Sequence, residues 1–338
     1  MKKKTFIIAE LSANHNGDIK IALDSIRAAK RTGADAVKIQ TYTADTLTID
    51  CKNDYFKINH GTAWDGEYLY DLYKRAFTPW EWHAEIFRVA NEEGIICFSS
   101  PFDNTAVDLL EELKVPIYKI ASFEIQDIPL IQYAASKGKP IILSTGIAKV
   151  EDIELAIDTC RKAGNNDITI LKCTSAYPAD PNDANLLTIP DIKERFGVKV
   201  GLSDHTMGIE GPVVAITLGA TVIEKHFILD KKIGGPDSHF SLDEKEFTQM
   251  VKSARIAESM MGKIDYEMTE KKKKSRQFSR SLFIVKDVKA GEKISRENVR
   301  SIRPGFGIHP KYLSEIIGNK FNCDFRKGTP MSLDFITK

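Results

Sequence analysis

Short β-branched runs of this chain repeatedly finish in a polar or charged side chain. These run-end residues are Glu10, Lys38, Gln40, Ser99, Ser100, Lys119, Ser122, Glu124, Ser144, Ser203, His205 and His226. A single residue of this kind would usually be a cap or a hydrogen-bonded buried group. The same kind of ending on nearly every one of eight runs instead predicts that the side chains share one site.

Two lysines and four serines of this set are suited to binding an anion. Lys38 and Lys119 supply positive charge, and the neutral donors are Ser100, Ser122, Ser144 and Ser203. This mixture fits a phosphate and a carboxylate on one small ligand, and phosphoenolpyruvate is such a ligand. Schiff-base chemistry on a lysine, as in barrel aldolases, is the alternative that the residues leave open.

His205 and His226 end what we interpret as neighbouring seventh and eighth strands. Two imidazoles that converge there, near carboxylates, form a plausible divalent metal site with positions left for water or substrate. Hydrogen-bonded histidines without a metal are an equally good explanation of the pair. His15, His83 and His309 are interpreted as structural.

The runs alternate with amphipathic stretches, which predicts repeated βα units around a parallel sheet. The eight predicted strands are residues 5–10, 36–40, 95–99, 117–120, 141–144, 168–172, 198–203 and 222–226, with helices such as 19–32, 80–93 and 243–261. Eight units in about 250 residues predict a TIM barrel, whose strand ends line one active-site face. The glycine-rich loop that a doubly wound sheet would carry after its first strand is not found at residues 10–17.

The pattern divides the chain into a barrel domain at 1–265, a basic linker at 266–280 and a small domain at 281–338. One connection within the barrel, residues 41–78, is unusually long. It carries Trp64, Tyr68, Tyr70 and Tyr73, for which a functional role and a packing role are both open.

Composition excludes several classes of partner. The net charge of +1 provides no field for gripping nucleic acid or an anionic membrane. The five scattered cysteines predict reduced thiols in a cytoplasm. Apolar runs stay far short of the roughly 20 residues that span a bilayer, so a soluble protein is expected.

Seven matches in order make the chain resemble the bacterial sialic acid synthase family, a TIM barrel followed by a small antifreeze-like (SAF, β-clip) domain. The matching segments are IIAE at 7–10 with NHNG at 14–17, GADAVKIQT at 33–41, SSPF at 99–102, YKIASFE at 118–124, LSTG at 143–146, GLSDHT at 201–206 and EKHF at 224–227. The resemblance implies a transferase that condenses phosphoenolpyruvate with an amino sugar.

The resemblance also implies a role for each residue. Phosphoenolpyruvate would be held by Lys38, Ser100, Lys119, Ser122, Ser144 and Ser203, and manganese or magnesium by His205 and His226. The sugar, protons and water would be handled by Glu10, Gln40, Glu124, Tyr177 and Asp237. Arg303 matches an arginine that reaches the partner subunit's active site in this family, so a domain-swapped homodimer is expected.

Within the family, three segments are similar to the pseudaminic acid synthases: GTAWDG at 61–66, LYDLYK at 69–74 and TPWEWH at 78–83. Ser175 stands where the sialic acid branch usually has asparagine. The expected acceptor is therefore 2,4-diacetamido-2,4,6-trideoxy-altropyranose, with N-acetylneuraminic or legionaminic acid synthesis as alternatives. A non-catalytic carbohydrate- or ice-binding protein and a metal-dependent barrel hydrolase are the alternatives from other classes.

Overall fold

The computed structural model describes residues 4–59, 61 and 64–337. Thr62 and Ala63, which belong to one of the segments similar to pseudaminic acid synthases, lie outside the described residues. Contacts divide the chain into two compact units that meet between Gly262 and Lys263. Each unit is described by itself.

The first unit is a closed barrel of eight parallel strands in sequential order, so the predicted fold is confirmed. The strands are β1 Phe6–Glu10, β2 Ala36–Thr41, β3 Ile96–Pro101, β4 Tyr118–Ile120, β5 Ile141–Ser144, β6 Ile168–Cys173, β7 Lys199–Asp204 and β8 Val222–His226. Each differs from its predicted bounds by no more than two residues, because the β-branched runs that define them are buried on both faces.

Ten α-helices belong to the described part of this unit. They are α1 Ile19–Thr32, α2 Ala44–Leu47, α3 Leu69–Ala76, α4 His83–Glu92, α5 Asn104–Glu112, α6 Ile128–Ser136, α7 Val150–Lys162, α8 Thr188–Phe196, α9 Glu210–Thr217 and α10 Glu244–Met261. Local signals set their ends. Asp243 and Glu246 form a capping box at the start of α10, and Gly33 ends α1 with a φ of 87° that favours glycine.

The described residues of the long connection after β2 contain α2, α3 and a single turn of 3-10 helix at Asp54–Phe56. A second such turn, Trp80–Trp82, follows the connection. The predicted helix at 80–93 is thus a 3-10 turn followed by α4. Pro79, with an extended ψ of 131°, precedes that turn, and the regular α-helix begins at His83.

The described part of the second unit, up to residue 337, contains two α-helices, α11 Glu270–Arg276 and α12 Leu313–Ile316, and four short strands, β9 Ser281–Ile284, β10 Val299–Ile302, β11 Lys320–Phe321 and β12 Ile336–Thr337. It has a core of its own, formed by Leu282, Ile284, Val288, Ile294, Val299, Ile316, Phe321 and Met331. Helix α11 lies inside the stretch predicted as a linker. Thr269 caps it, with Glu270 in the first turn and lysines in the last, which suits the helix dipole. No described helix combines the length and apolarity needed to cross a membrane.

Candidate active site

The pleat of the last two strands separates two sets of side chains. Successive residues of a strand point to opposite faces. On β8, the carboxylate of Glu224 contacts Lys119 and Ser203 on the inner face, whereas Lys225 pairs with Asp204 on the outer face. His226 lies two residues after Glu224 and therefore shares the inner face, where its ring faces that of His205.

Four of the six predicted anion-binding residues, Lys38, Ser100, Lys119 and Ser203, form one buried network at the carboxyl ends of the strands. Lys119 Nζ lies 3.2 Å from Glu224 Oε1, and Ser203 Oγ donates to the same oxygen at 3.2 Å. Lys38 Nζ lies 3.8 Å from this oxygen, contacts Glu10 more closely, and donates to Ser100 Oγ at 3.1 Å. Two ammonium groups and two hydroxyls thus converge on a region a few ångströms across.

The buried charges in this network alter one another's titration. Burial lowers the pKa of Lys119. Burial alone would also lower the pKa of Lys38, but Glu10 and Glu224 together raise it. Burial raises the pKa of Glu10, with the Lys38 ammonium opposing the shift. Lys38 therefore stays cationic, and the site offers an anion at least one fixed positive charge shielded from water.

The carboxyl ends of the eight strands form one open end of the barrel, which we call the mouth. Several buried polar atoms of the mouth lack a hydrogen-bond partner within the part of the chain that the structure describes. They are Glu124 Oε2, Ser144 Oγ, Glu224 Oε2 and His226 Nδ1. Leaving such atoms unpaired costs about 1–3 kcal/mol each unless a ligand or water satisfies them. Their concentration at one end of the barrel marks a site built to hold something polar.

His205 and His226 face each other with ring centroids 5.2 Å apart. The Nδ1–H of His205 donates to the Thr174 carbonyl at 3.0 Å, which leaves Nε2 as the nitrogen free to bind a metal in the neutral ring. Burial lowers the pKa of His226 well below its usual range, so this imidazole is neutral, as a ligand must be. Asp237 Oδ2 lies 3.9 Å from His226 Nδ1.

Three aromatic rings border the histidine pair, and we call them the aromatic wall: Trp64, Tyr177 and Phe240. The Tyr177 ring lies 4.4 Å from His205 and 5.3 Å from Phe240, and Phe240 lies 4.9 Å from His226, all between centroids. Trp64, from the long connection after β2, lies 5.9 Å beyond Tyr177. An apolar surface therefore begins at the imidazoles and extends outward.

The other predicted residues occupy distinct positions. Glu124 is in a 3-10 turn just after β4, and burial raises its pKa to about 7. Gln40 follows Lys38 by two residues and so shares its face of β2. Ser122 Oγ accepts from Gly146 N at 3.1 Å, and Ser144 is buried at the end of β5. Arg303 is exposed in the second unit, just after β10.

Glu224 and Cys173 are site residues to which the sequence analysis gave no role. Glu224 could have been found from the period-two spacing to His226 on the same strand. Cys173 Sγ lies 3.7 Å from His205 Nδ1. Burial alone would raise the pKa of Cys173, but the contact with His205 lowers it to about 7. No group of three or more His, Cys, Asp or Glu side chains arranged to hold a metal exists among residues 4–59, 61 and 64–337.

Fold and site together define a βα-barrel enzyme with a buried, polar pocket of lysine, serine and histidine side chains at the strand ends. The NeuB family model matches residues 25–266, and the SAF domain model matches residues 279–337. The chain belongs to the NeuB family.

Relatives match over nearly the whole length. The pseudaminic acid synthase of Helicobacter pylori is 49% identical and aligns over 98% of both chains. That of Campylobacter jejuni serotype O:2 is 51% identical over 96% of this chain and 95% of the relative. A crystal structure of N-acetylneuraminic acid synthetase from Leptospira borgpetersenii, 31% identical, superposes with a TM-score of 0.72 over 81% of this chain and 90% of that one.

Proposed function

We propose that this enzyme condenses phosphoenolpyruvate with 2,4-diacetamido-2,4,6-trideoxy-altropyranose to form pseudaminic acid and phosphate. The observation that carries the proposal is the buried convergence of Lys38, Lys119 and Ser203 beside the facing imidazoles of His205 and His226. The relatives at about half identity, named as pseudaminic acid synthases, support this sugar over the N-acetylneuraminic and legionaminic alternatives.

Phosphoenolpyruvate brings a carboxylate and a phosphate into a space that already contains matching donors. Lys38 and Lys119 bind these anionic groups, and the hydroxyls of Ser100, Ser122, Ser144 and Ser203 complete the hydrogen bonds. Glu224 Oε1 accepts from Lys119 and Ser203, so the single hydroxyl hydrogen of Ser203 turns from this carboxylate to the anion when phosphoenolpyruvate binds. The preorganised donors fix the enol beside the histidine pair.

The reaction then proceeds in three steps. The C3 carbon of phosphoenolpyruvate attacks the aldehyde carbon of the open-chain sugar, forming the carbon–carbon bond while the aldehyde oxygen takes up a proton. Positive charge develops at C2, and a water molecule adds there, losing a proton to a carboxylate. The C–O bond to phosphate breaks last: phosphate leaves with the bonding electrons, and the new C2 hydroxyl gives up its proton to become the ketone carbonyl. Glu124 and Glu10 are the candidates for that base, and the pKa of Glu124, at about 7, suits the task.

The imidazoles fit a divalent metal ion, because both are buried and Nδ1 of His226 has no hydrogen-bond partner in the described chain. We propose manganese or magnesium at His205 and His226, which would polarise the sugar aldehyde as a Lewis acid. With two protein ligands, positions remain for water and substrate. Asp237 near His226 is placed to orient that water or the sugar.

The aromatic wall supports a deoxygenated, acetylated acceptor. A sugar whose aldehyde lies at the histidine pair must lie against Tyr177 and Phe240, because both rings contact the imidazoles. A C6 methyl and two acetamido methyls offer apolar surface to such rings, whereas a hydroxymethyl group would lose hydrogen bonds to water there. Gln40 and Tyr177 are proposed to contact the polar groups of the sugar.

We further propose a domain-swapped homodimer in which Arg303 reaches the active site of the partner subunit. Its exposed side chain is free to contact another molecule. A cytoplasmic location is supported by the five cysteines, none of which is in a disulfide.

One experiment separates the candidate functions. The purified enzyme is given phosphoenolpyruvate, Mn²⁺ and each of four acceptors: the altro trideoxy sugar, its manno isomer with the same substituents, N-acetylmannosamine and no sugar. Phosphate release and product mass are measured together. We expect phosphate to be released only with the altro sugar. The product should have the mass of pseudaminic acid. Release with another acceptor would reassign the sugar, and no release with any of them would leave a non-catalytic binding protein.

A further inference from the structure

An ion pair on the outer face of the barrel lies directly behind the two histidines. Asp204 and Lys225 are register partners on β7 and β8, and each immediately precedes a histidine of the pair. Lys225 Nζ lies 2.5 Å from Asp204 Oδ2, with side-chain exposures of 0% and 3%. Neither group belongs to the mouth or faces the substrates.

The same ion pair also binds the residue after His205. The backbone N–H and the hydroxyl of Thr206 donate to Asp204 Oδ1 at 3.1 Å and 2.8 Å. The Thr206 carbonyl accepts from Lys225 Nζ at 2.6 Å. His205 is thus held from both sides, and the strand that carries His226 is tied to the same point.

Burial of this ion pair costs desolvation free energy, so stability alone does not explain its presence. Desolvation of two charges consumes much of their attraction, and apolar residues of similar volume often do as well or better. The local packing is also specific to the carboxylate. A methyl group added at Gly211, on α9, would lie 3.1 Å from both Asp204 oxygens, so the helix approaches this side chain as closely as a residue without a side chain allows.

We propose that Asp204 and Lys225 are positioning residues that set the separation and the orientation of the His205 and His226 imidazoles for metal binding. The inference rests on the proposed function only for the identity of the ion. Positioning itself is a property of the metal-free protein, because the hydrogen bond from His205 Nδ1 to Thr174 already selects one tautomer there.

The test replaces both charges with apolar residues of similar size, Asp204→Leu with Lys225→Met. The matched control is Asp35→Leu with Arg255→Met, which removes a partly buried ion pair of 2.7 Å that lies elsewhere on the barrel. For each full-length, metal-stripped protein, Mn²⁺ affinity is measured by titration calorimetry with MnCl₂, and stability is measured by urea unfolding. We expect Mn²⁺ binding weaker by about 10- to 100-fold in the first variant. The control should bind Mn²⁺ like wild type.

A second measurement needs no metal. Side-chain ¹⁵N spectra of histidine-labelled, metal-stripped protein should show one tautomer for His205 in wild type and control, and a mixture of tautomers in the Asp204→Leu/Lys225→Met variant. If that variant does not fold, Gly211→Ala, which displaces the carboxylate by a few tenths of an ångström, should give the same two effects in weaker form.

Unchanged Mn²⁺ affinity together with an unchanged tautomer would overturn the positioning role, and so would a loss of urea stability with neither effect. A wild-type enzyme that binds no Mn²⁺ would contradict the proposed metal site instead. In that case the tautomer spectra still decide the inference.

Discussion

Lys119→Met tests whether the buried network is a phosphoenolpyruvate site. Methionine keeps the length of the side chain and removes the charge that lies 3.2 Å from Glu224. A lost hydrogen bond between charged groups costs about 1.5–3 kcal/mol, which corresponds to about 10- to 100-fold in binding. We therefore expect KM for phosphoenolpyruvate to rise by that factor while KM for the sugar stays within about twofold of wild type.

The assay is continuous phosphate release with one substrate varied at saturating concentrations of the other. Lys199→Met is the matched control, since Lys199 begins β7 at the opposite end of the barrel strand from Ser203 and pairs with Asp167 at 2.5 Å on the surface. It should leave both KM values unchanged. An unaltered KM for phosphoenolpyruvate in a folded Lys119→Met enzyme would refute the assignment of this site.

Four further outcomes are expected. His226→Ala should abolish the stimulation of activity by Mn²⁺, and stimulation equal to that of wild type would contradict its role as a ligand. Burial raises the pKa of Glu124 to about 7, and a carboxylate must be ionised to take a proton from water, so kcat should fall as the pH drops through 7. Glu124→Gln should remove this fall of kcat at acidic pH. A fully active variant that keeps the same pH dependence would point to another base. Trp64→Ala should lower kcat/KM for the trideoxy acceptor by about 10-fold, with a smaller loss for N-acetylmannosamine, since the aromatic wall favours apolar substituents; an equal loss for both sugars would exclude a role in specificity. Arg303→Ala should be nearly inactive as a homodimer, and Lys119→Met should be weakly active at phosphoenolpyruvate concentrations far below its raised KM. At those concentrations the two chains should regain activity when co-expressed, because one mixed site is then complete; absence of complementation would argue against an arginine supplied by the partner.

The barrel could be predicted because its signal is local. Eight β-branched runs alternate with helical stretches, and strands buried on both faces leave a nearly continuous apolar pattern. The polar residues at the strand ends could be predicted as a site for the same reason, since parallel strands in a closed barrel finish at one face. Lys38 and His205 needed only this topological argument to be placed in the same mouth.

The contacts between strands that lie far apart in the sequence could not be predicted, because they depend on closure of the barrel. Lys119 and Glu224 are 105 residues apart and meet only because the chain has completed the circle. Asp204 and Lys225 look like ordinary solvated charges in the sequence, and their burial follows from the packing of α9 against the outer face of β7. The helix α11 in the basic stretch depends on a cap and a charge gradient too short to stand out against the surrounding lysines.

The alternation of inner and outer residues at the ends of β7 and β8 makes this region intolerant of length changes. Removing one residue between Val222 and Lys225 would exchange the two faces of β8, sending the lysine into the mouth and the histidine toward the helices. A single-codon deletion would thereby destroy the proposed metal ligand and the outer ion pair together. Insertions in the 41–78 connection carry no such penalty, so variation in length is free to accumulate there and to reshape the sugar site while the chemistry stays intact.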